Sequence, residues 1–220
     1  MKILELFDLE HTLAAKYLEK WEYPWELLGD VEKIILEIGQ SLPEEEFERS
    51  GDSVWIARDA EISPASFISG PCIIGRKSQL KPGAYVRDGV LVGSGCVVGN
   101  STEVKNSLLF DGVQLPHYNY VGDSILGHMA HLGAGAVTSN FRADHGQIII
   151  RAGEESFETG RDKLGAMVGD FAEIGCNAVL NPGSIIGRNS VVYPVSCFRG
   201  VLPENSIYKT GGIVVKKRQE

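Results

Sequence analysis

The 220-residue chain contains no apolar run approaching the ~18 residues that a membrane-spanning helix needs. Its N-terminus has no apolar signal core, and Cys72, Cys96, Cys176 and Cys197 show no C-x-x-C spacing. A cytoplasmic protein with reduced thiols is therefore expected, with no membrane association. Positive charge is also scarce. The 21 Lys and Arg residues are outnumbered by 29 Asp and Glu, for a net charge of -8, and no basic run precedes Lys216-Lys217-Arg218. That balance argues against nucleic acid or an anionic lipid surface as a partner. The N-terminal 50 residues also lack a glycine-rich nucleotide loop following a strand.

What the chain does have falls into three parts. Residues 1–50 carry helical spacing: Val31, Ile34, Ile35, Ile38 and Leu42 form one apolar stripe, with Asp30 placed as N-cap and Pro43 beyond the end. Leu13, Tyr17, Leu18 and Trp21 suggest an earlier helix that stops before Pro24, and Trp21, Tyr23 and Trp25 form an aromatic cluster expected to serve packing. Residues 51–212 carry a different period. Ile56, Ile62, Ile68, Ile74, Leu80, Val86, Val92, Val98 and Val104 are aliphatic at every sixth position, and the register returns at Leu126 and Leu132 and from Val168 to Val192. Glycine often follows the aliphatic residue, as at Gly75, Gly93 and Gly99. So short a period means an all-β fold, a parallel β-helix of hexapeptide repeats in which three hexads make one coil. Residues 213–220 read as a charged tail.

The hexads weaken between Val104 and Val121, and residues 140–166 leave the register entirely. A stretch of that length must project from the coil, and such loops are usually functional or disordered. Ile148-Ile149-Ile150 ahead of the charged stretch Arg151 to Lys163 is compatible with a hairpin.

An 18-residue coil stacks residues 18 apart, which places Arg87 over Lys105 at one corner, two cations within reach of one anion such as a phosphate. His117 lies in the weakened stretch, on an irregular segment.

The stretch from His117 through Ser139-Asn140 resembles the acetyltransferase half of the bifunctional UDP-N-acetylglucosamine pyrophosphorylase/glucosamine-1-phosphate acetyltransferases. Thr159-Gly160-Arg161-Asp162-Lys163-Leu164-Gly165-Ala166 is similar to their archaeal relatives, and the likeness covers roughly residues 54 to 212. It implies a left-handed β-helix, an exception to the usual right-handed crossover, that assembles as a homotrimer. It also implies acetyl-CoA as co-substrate, an amino-sugar phosphate such as glucosamine-1-phosphate as acceptor, and no metal. By the same resemblance His117 is the general base, Asn140 orients the reacting groups, and Arg87, Lys105 and Tyr120 bind the sugar phosphate. His131 stands where the family has a substrate-binding Asn. Ala134, Cys176 and, more loosely, Lys209 fall on acetyl-CoA positions.

The chain departs from the pattern at His131 and at Phe141, which replaces a Tyr, and the family's loop lysine has no clear counterpart among Arg142, His145 and Lys163. With no nucleotidyltransferase half in the N-terminal region, pyrophosphorylase activity is not expected. Two other readings are compatible with a hexapeptide solenoid. One is a non-catalytic sugar-phosphate-binding module. The other is a metal hydratase like the γ-class carbonic anhydrases, with His117, His128 and His131 as ligands.

Overall fold

The computed structural model describes residues 1–218. Its core is a left-handed parallel β-solenoid of about nine turns. One aliphatic column runs up the interior, from Ile74, Leu80 and Val86 through Val92, Val98 and Val104 to Val168, Ile174, Leu180, Ile186 and Val192, nearly all of it fully buried. Successive coils pair as parallel strands, which stacks them at ~4.8 Å. The glycines that follow the aliphatic residues make this stacking possible. A Cβ built on Gly75 would lie 2.5 Å from the carbonyl oxygen of Gly93 in the next coil, closer than any real side chain can sit.

The weakening after Val104 is a shortened coil, not an excursion. Ile74 pairs with Val92, 18 residues on, but Val92 pairs with Leu109, only 17 on. Arg87 to Val90 lies opposite the shorter Lys105 to Ser107, so one corner has lost a residue. The inward column then continues through Leu109, Leu115, Val121 and Leu126. A sixfold count cannot follow a column whose coil drops one residue.

The three regions are less separate than the sequence suggests. The earlier helix shrinks to Ala15–Leu18, with Leu13 and Trp21 exposed. The later one, Val31–Gln40, forms as expected, although the Asp30 side chain makes no capping hydrogen bond. Leu18, Leu27, Val31 and Ile35 bury themselves against outward-pointing side chains of one solenoid face: Ile73, Leu91, Leu108, Ile125, Met167 and Ile185. A buried polar knot fixes the same docking. Asp170 accepts hydrogen bonds from the backbone of Asp8 (2.7 Å) and His128 (2.8 Å) and pairs with Arg188 at 3.3 Å. His11 stacks on His128 with ring centroids 3.6 Å apart.

The excursion at 140–166 contains an antiparallel hairpin, Ile149–Ala152 with Glu155–Glu158. After leaving the coil it lies back over the same covered face. Ile148, Ile150 and Leu164 are buried there, and Phe157 meets Tyr23 and Trp25, which stack on each other at 4.7 Å. Tyr23 and Trp25 thus form a packing contact between the N-terminal segment and the hairpin, while Trp21, expected in the same cluster, stays exposed outside it. The expected tail also begins as structure, because Ile213–Lys216 adds an antiparallel strand to Ser206–Lys209.

Candidate functional site

The sequence-derived residues gather along two edges of one narrow strip of sheet. The strip is built from short stacked strands, among them Tyr85–Val92, Glu103–Leu109 and Tyr120–Gly122. Tyr85, Glu103 and Tyr120 align in register across three coils, and so do Arg87, Lys105 and Gly122. Three strand residues span roughly 7–10 Å, so the two edges lie within the length of a small molecule.

One edge holds the polar corner. Arg87 and Lys105 stack as the coil arithmetic requires, but neither cation is free. The Arg87 guanidinium donates to Glu103 at 2.7 and 3.0 Å and pairs with Asp88. Lys105 Nζ lies 3.7 Å from Asp123 Oδ2. Asp123 is nearly fully buried, and its carboxylate also accepts from Asn106 Nδ2 (2.7 Å) and from Asn140 Nδ2. Asn140 and Tyr120 converge over Gly122. A Cβ there would meet Tyr120 Oη at 2.6 Å and Asn140 Nδ2 at 2.9 Å, so the missing side chain makes room for their polar ends. Burial, assisted by the neighbouring Asp123 and Glu103 carboxylates, pushes the Tyr120 hydroxyl pKa up, which keeps it a protonated donor at neutral pH. Arg87, Lys105, Tyr120 and Asn140 are therefore brought together.

The opposite edge holds a different set. His117 is exposed at the end of Gln114–His117, next to the left-handed turn at Tyr118. Its carbonyl accepts from Gly135 N (3.0 Å), the carbonyl of Ala134 accepts from Asn177 N (2.9 Å), and that of Cys176 from Val195 N (2.9 Å). His117, Ala134 and Cys176 thus occupy consecutive corners of one column. Lys209 ends the strand that pairs with Val191–Val192, further along the same edge. Within one chain, His117 and Asn140 lie at opposite ends of the Tyr120–Gly122 strip and are not in contact.

His131 is not part of either group. It lies on the neighbouring strand of the sheet that carries His117, but at the other end, beside Gln114, with Nδ1 2.7 Å from Glu173 Oε2. The three histidines of the metal reading are equally scattered: His117 stands at a corner, His131 pairs with Glu173, and His128 is stacked on His11. Among the described residues no cluster of three His, Cys, Asp or Glu side chains could hold a metal. Of the loop residues, Lys163 bridges to Phe141 through the backbone, Arg142 is tied to Asp144, and His145 meets the Phe141 ring edge-on at 5.1 Å. Phe141 and Arg142 line a cavity of about 410 Å³ with Ser139, Asp144, Asn181 and Arg199, which continues the strip beyond Asn140.

Asp123 is the residue that sequence reasoning passed over. Asp123 lies within the stretch from His117 to Asn140, but hexad counting gives an outward acidic residue no reason to be buried. The signal lies in the shortened corner, where Asn106 and Asp123 both take left-handed backbone (φ 41° and 49°), a conformation that Asn and Asp tolerate better than most residues.

Fold and layout together define a hexapeptide-repeat left-handed β-helix with a two-edged polar strip. The chain is similar to bifunctional sugar-1-phosphate nucleotidylyltransferase/acetyltransferases. It is 34% identical over 205 residues to the protein so named from Sulfurisphaera tokodaii, covering 87% of this chain and 51% of that one. It is 32% identical over 224 residues to the bifunctional protein GlmU of Methanococcus maripaludis, covering 99% and 54%. The chain thus spans about half the length of these curated relatives. A family model described as the GMPPB C-terminal domain matches residues 68–150. Among solved structures, a variant of AntD, an N-acyltransferase from Bacillus cereus in complex with dTDP-4-amino-4,6-dideoxyglucose and coenzyme A, aligns with a TM-score of 0.42 at 14% identity. That alignment covers 83% of this chain and 90% of AntD.

Proposed function

We propose that the protein is an N-acetyltransferase that moves the acetyl group of acetyl-CoA to the amine of an amino-sugar 1-phosphate such as glucosamine-1-phosphate, with no pyrophosphorylase step. The observation that carries this reading is the two-edged strip: a stacked Arg87–Lys105 pair with Tyr120 and Asn140 on one edge, and His117 in line with Ala134 and Cys176 on the other. A sugar phosphate held by its phosphate at the first edge directs its amine toward the second. There the amine nitrogen attacks the thioester carbonyl, the new C–N bond forms, and the C–S bond breaks to release the thiol of coenzyme A. His117 takes the proton that the amine must lose. Tyr120, held as a donor, hydrogen-bonds substrate oxygen.

The acceptor test is thiol release from acetyl-CoA with glucosamine-1-phosphate, galactosamine-1-phosphate and the free amino sugars. The phosphorylated sugars should react far faster than the free ones. A preference for the free sugars would remove the phosphate corner from the account.

That corner also has its own expected result. Arg87→Ala or Lys105→Ala should weaken sugar-phosphate binding by about 1.5–3 kcal/mol, the worth of one charge-assisted contact, while acetyl-CoA affinity barely moves. Calorimetry with each ligand separates the two, and equal losses for both would mean that the substitution damages the fold.

As the family resemblance implies, the acetyl-CoA site is read as shared between neighbouring copies in a homotrimer. Tyr118 and Val195, exposed at 65% and 74% on the His117 edge, offer apolar surface for such a contact. Light scattering should give the mass of three chains; a stable monomer at micromolar concentration would contradict the shared site.

A further inference from the structure

Asp123 binds more of the polar corner together than any other side chain there. Its carboxylate faces Lys105 from the preceding coil, Asn106 from the shortened corner and Asn140 from the first residue of the long excursion. Its backbone ties Lys105 to the far end of the excursion. Asp123 N donates to the Lys105 carbonyl (3.1 Å), and the Asp123 carbonyl accepts from Gly165 N (2.8 Å), the residue at which the excursion returns to the coil. Burying a carboxylate costs stability unless it is paired and hydrogen-bonded. An ordinary corner could be closed by glycine or asparagine at lower cost. Besides Asn106, which closes the turn, the Asp123 carboxylate pairs with Lys105 and Asn140, both placed at the substrate above, and this points to a role beyond closing the turn.

Two consequences follow from a carboxylate at this position. An ionised carboxylate only accepts hydrogen bonds, so the NH₂ end of the Asn140 amide must face Asp123. The Asn140 carbonyl oxygen is thereby turned away, as an acceptor available to a substrate N–H or O–H. A neutral amide at position 123 would accept or donate and leave the Asn140 amide free to flip. The second consequence is electrostatic. With Asp88, Glu103 and Asp123 set against Arg87 and Lys105, the corner carries more carboxylates than cations, and Asp123 is the carboxylate that offsets Lys105. A phosphate arriving at Lys105 meets a cation already partly neutralised, so Asp123 weakens phosphate binding while it orders the amide.

We propose that Asp123 is a positioning residue for acetyl transfer: it fixes the orientation of the Asn140 amide and tempers the grip of Lys105 on the phosphate. The proposal rests on the acetyl-transfer reading above. Asp123→Asn keeps the shape and the left-handed turn, and it should split the kinetic constants. Turnover should fall roughly tenfold to hundredfold, the scale of a misplaced reacting group. The KM for the sugar phosphate should stay level or drop. In an Asn140→Ala background the same substitution should cause no further loss of turnover, because the group it positions is gone. Binding of inorganic phosphate to the whole protein, measured by calorimetry, should tighten about two- to fivefold, the modest scale of one loosely spaced ion pair removed.

A merely structural Asp123 would lower the melting temperature and weaken phosphate binding together, and would add its full loss in the Asn140→Ala background. Either result overturns the proposal. Should the wild-type protein acetylate no amine, the acetyl-transfer reading fails by itself. The phosphate calorimetry then decides the role of Asp123: tightening in Asp123→Asn supports its control of Lys105, and unchanged or weaker binding refutes it.

Discussion

His117→Ala should leave the solenoid intact and both ligand affinities nearly unchanged, yet lower turnover by roughly 10²–10⁴-fold, the loss expected when a general base is removed. The structural half of this expectation follows from placement. His117 is exposed, its backbone contacts to Asn119 and Gly135 do not use the ring, and it stands outside the aliphatic column. The chemical half follows from the proposed reaction, in which an amine that loses no proton cannot complete the amide. An Ala variant as fast as the wild type would leave His117 without a role.

The second large effect concerns the N-terminal region. Deleting residues 1–46 should leave a chain that aggregates, because it uncovers Ile73, Leu91, Leu108, Ile125, Met167 and Ile185 at once. Burying each such side chain is worth ~1.5–3 kcal/mol, so the exposed face carries an apolar debt that the aliphatic column inside the coils cannot offset. A contiguous apolar patch of this kind is also an association surface. The milder substitution Ile35→Ala, at a fully buried position on Val31–Gln40, should cost roughly 2–5 kcal/mol and lower the melting temperature without changing the oligomer. A truncated chain that stays monodisperse and melts like the full protein would show that the helices are an accessory.

These expectations also show what could be read in the sequence and what could not. The solenoid was legible because its core repeats: an inward side chain every sixth residue is imposed by the coil itself, and Ile56 to Val104 obey it without a gap. The stacking of Arg87 on Lys105 was legible for the same reason, since it needs only the coil length. The outward faces have no such rule. Ile73, Leu91 and Leu108 look like surface aliphatics until the helices and the hairpin cover them. The shortened coil hid Leu109, Leu115 and Val121, and with them the corner where Asp123 turns inward. Polar partners were the least legible of all. Nothing in a one-dimensional spacing pairs His131 with Glu173, 42 residues away, or brings Asn140 onto Asp123 across a coil.

The central claim is acetyl transfer to an amino-sugar phosphate, and the release of coenzyme A thiol during incubation with acetyl-CoA and glucosamine-1-phosphate tests it most directly. Saturable release is expected, one thiol for each amine acetylated, that depends on both substrates. Binding of acetyl-CoA and the sugar phosphate without thiol release, across every amino-sugar phosphate tried, would contradict it and leave a solenoid that holds its ligands without joining them.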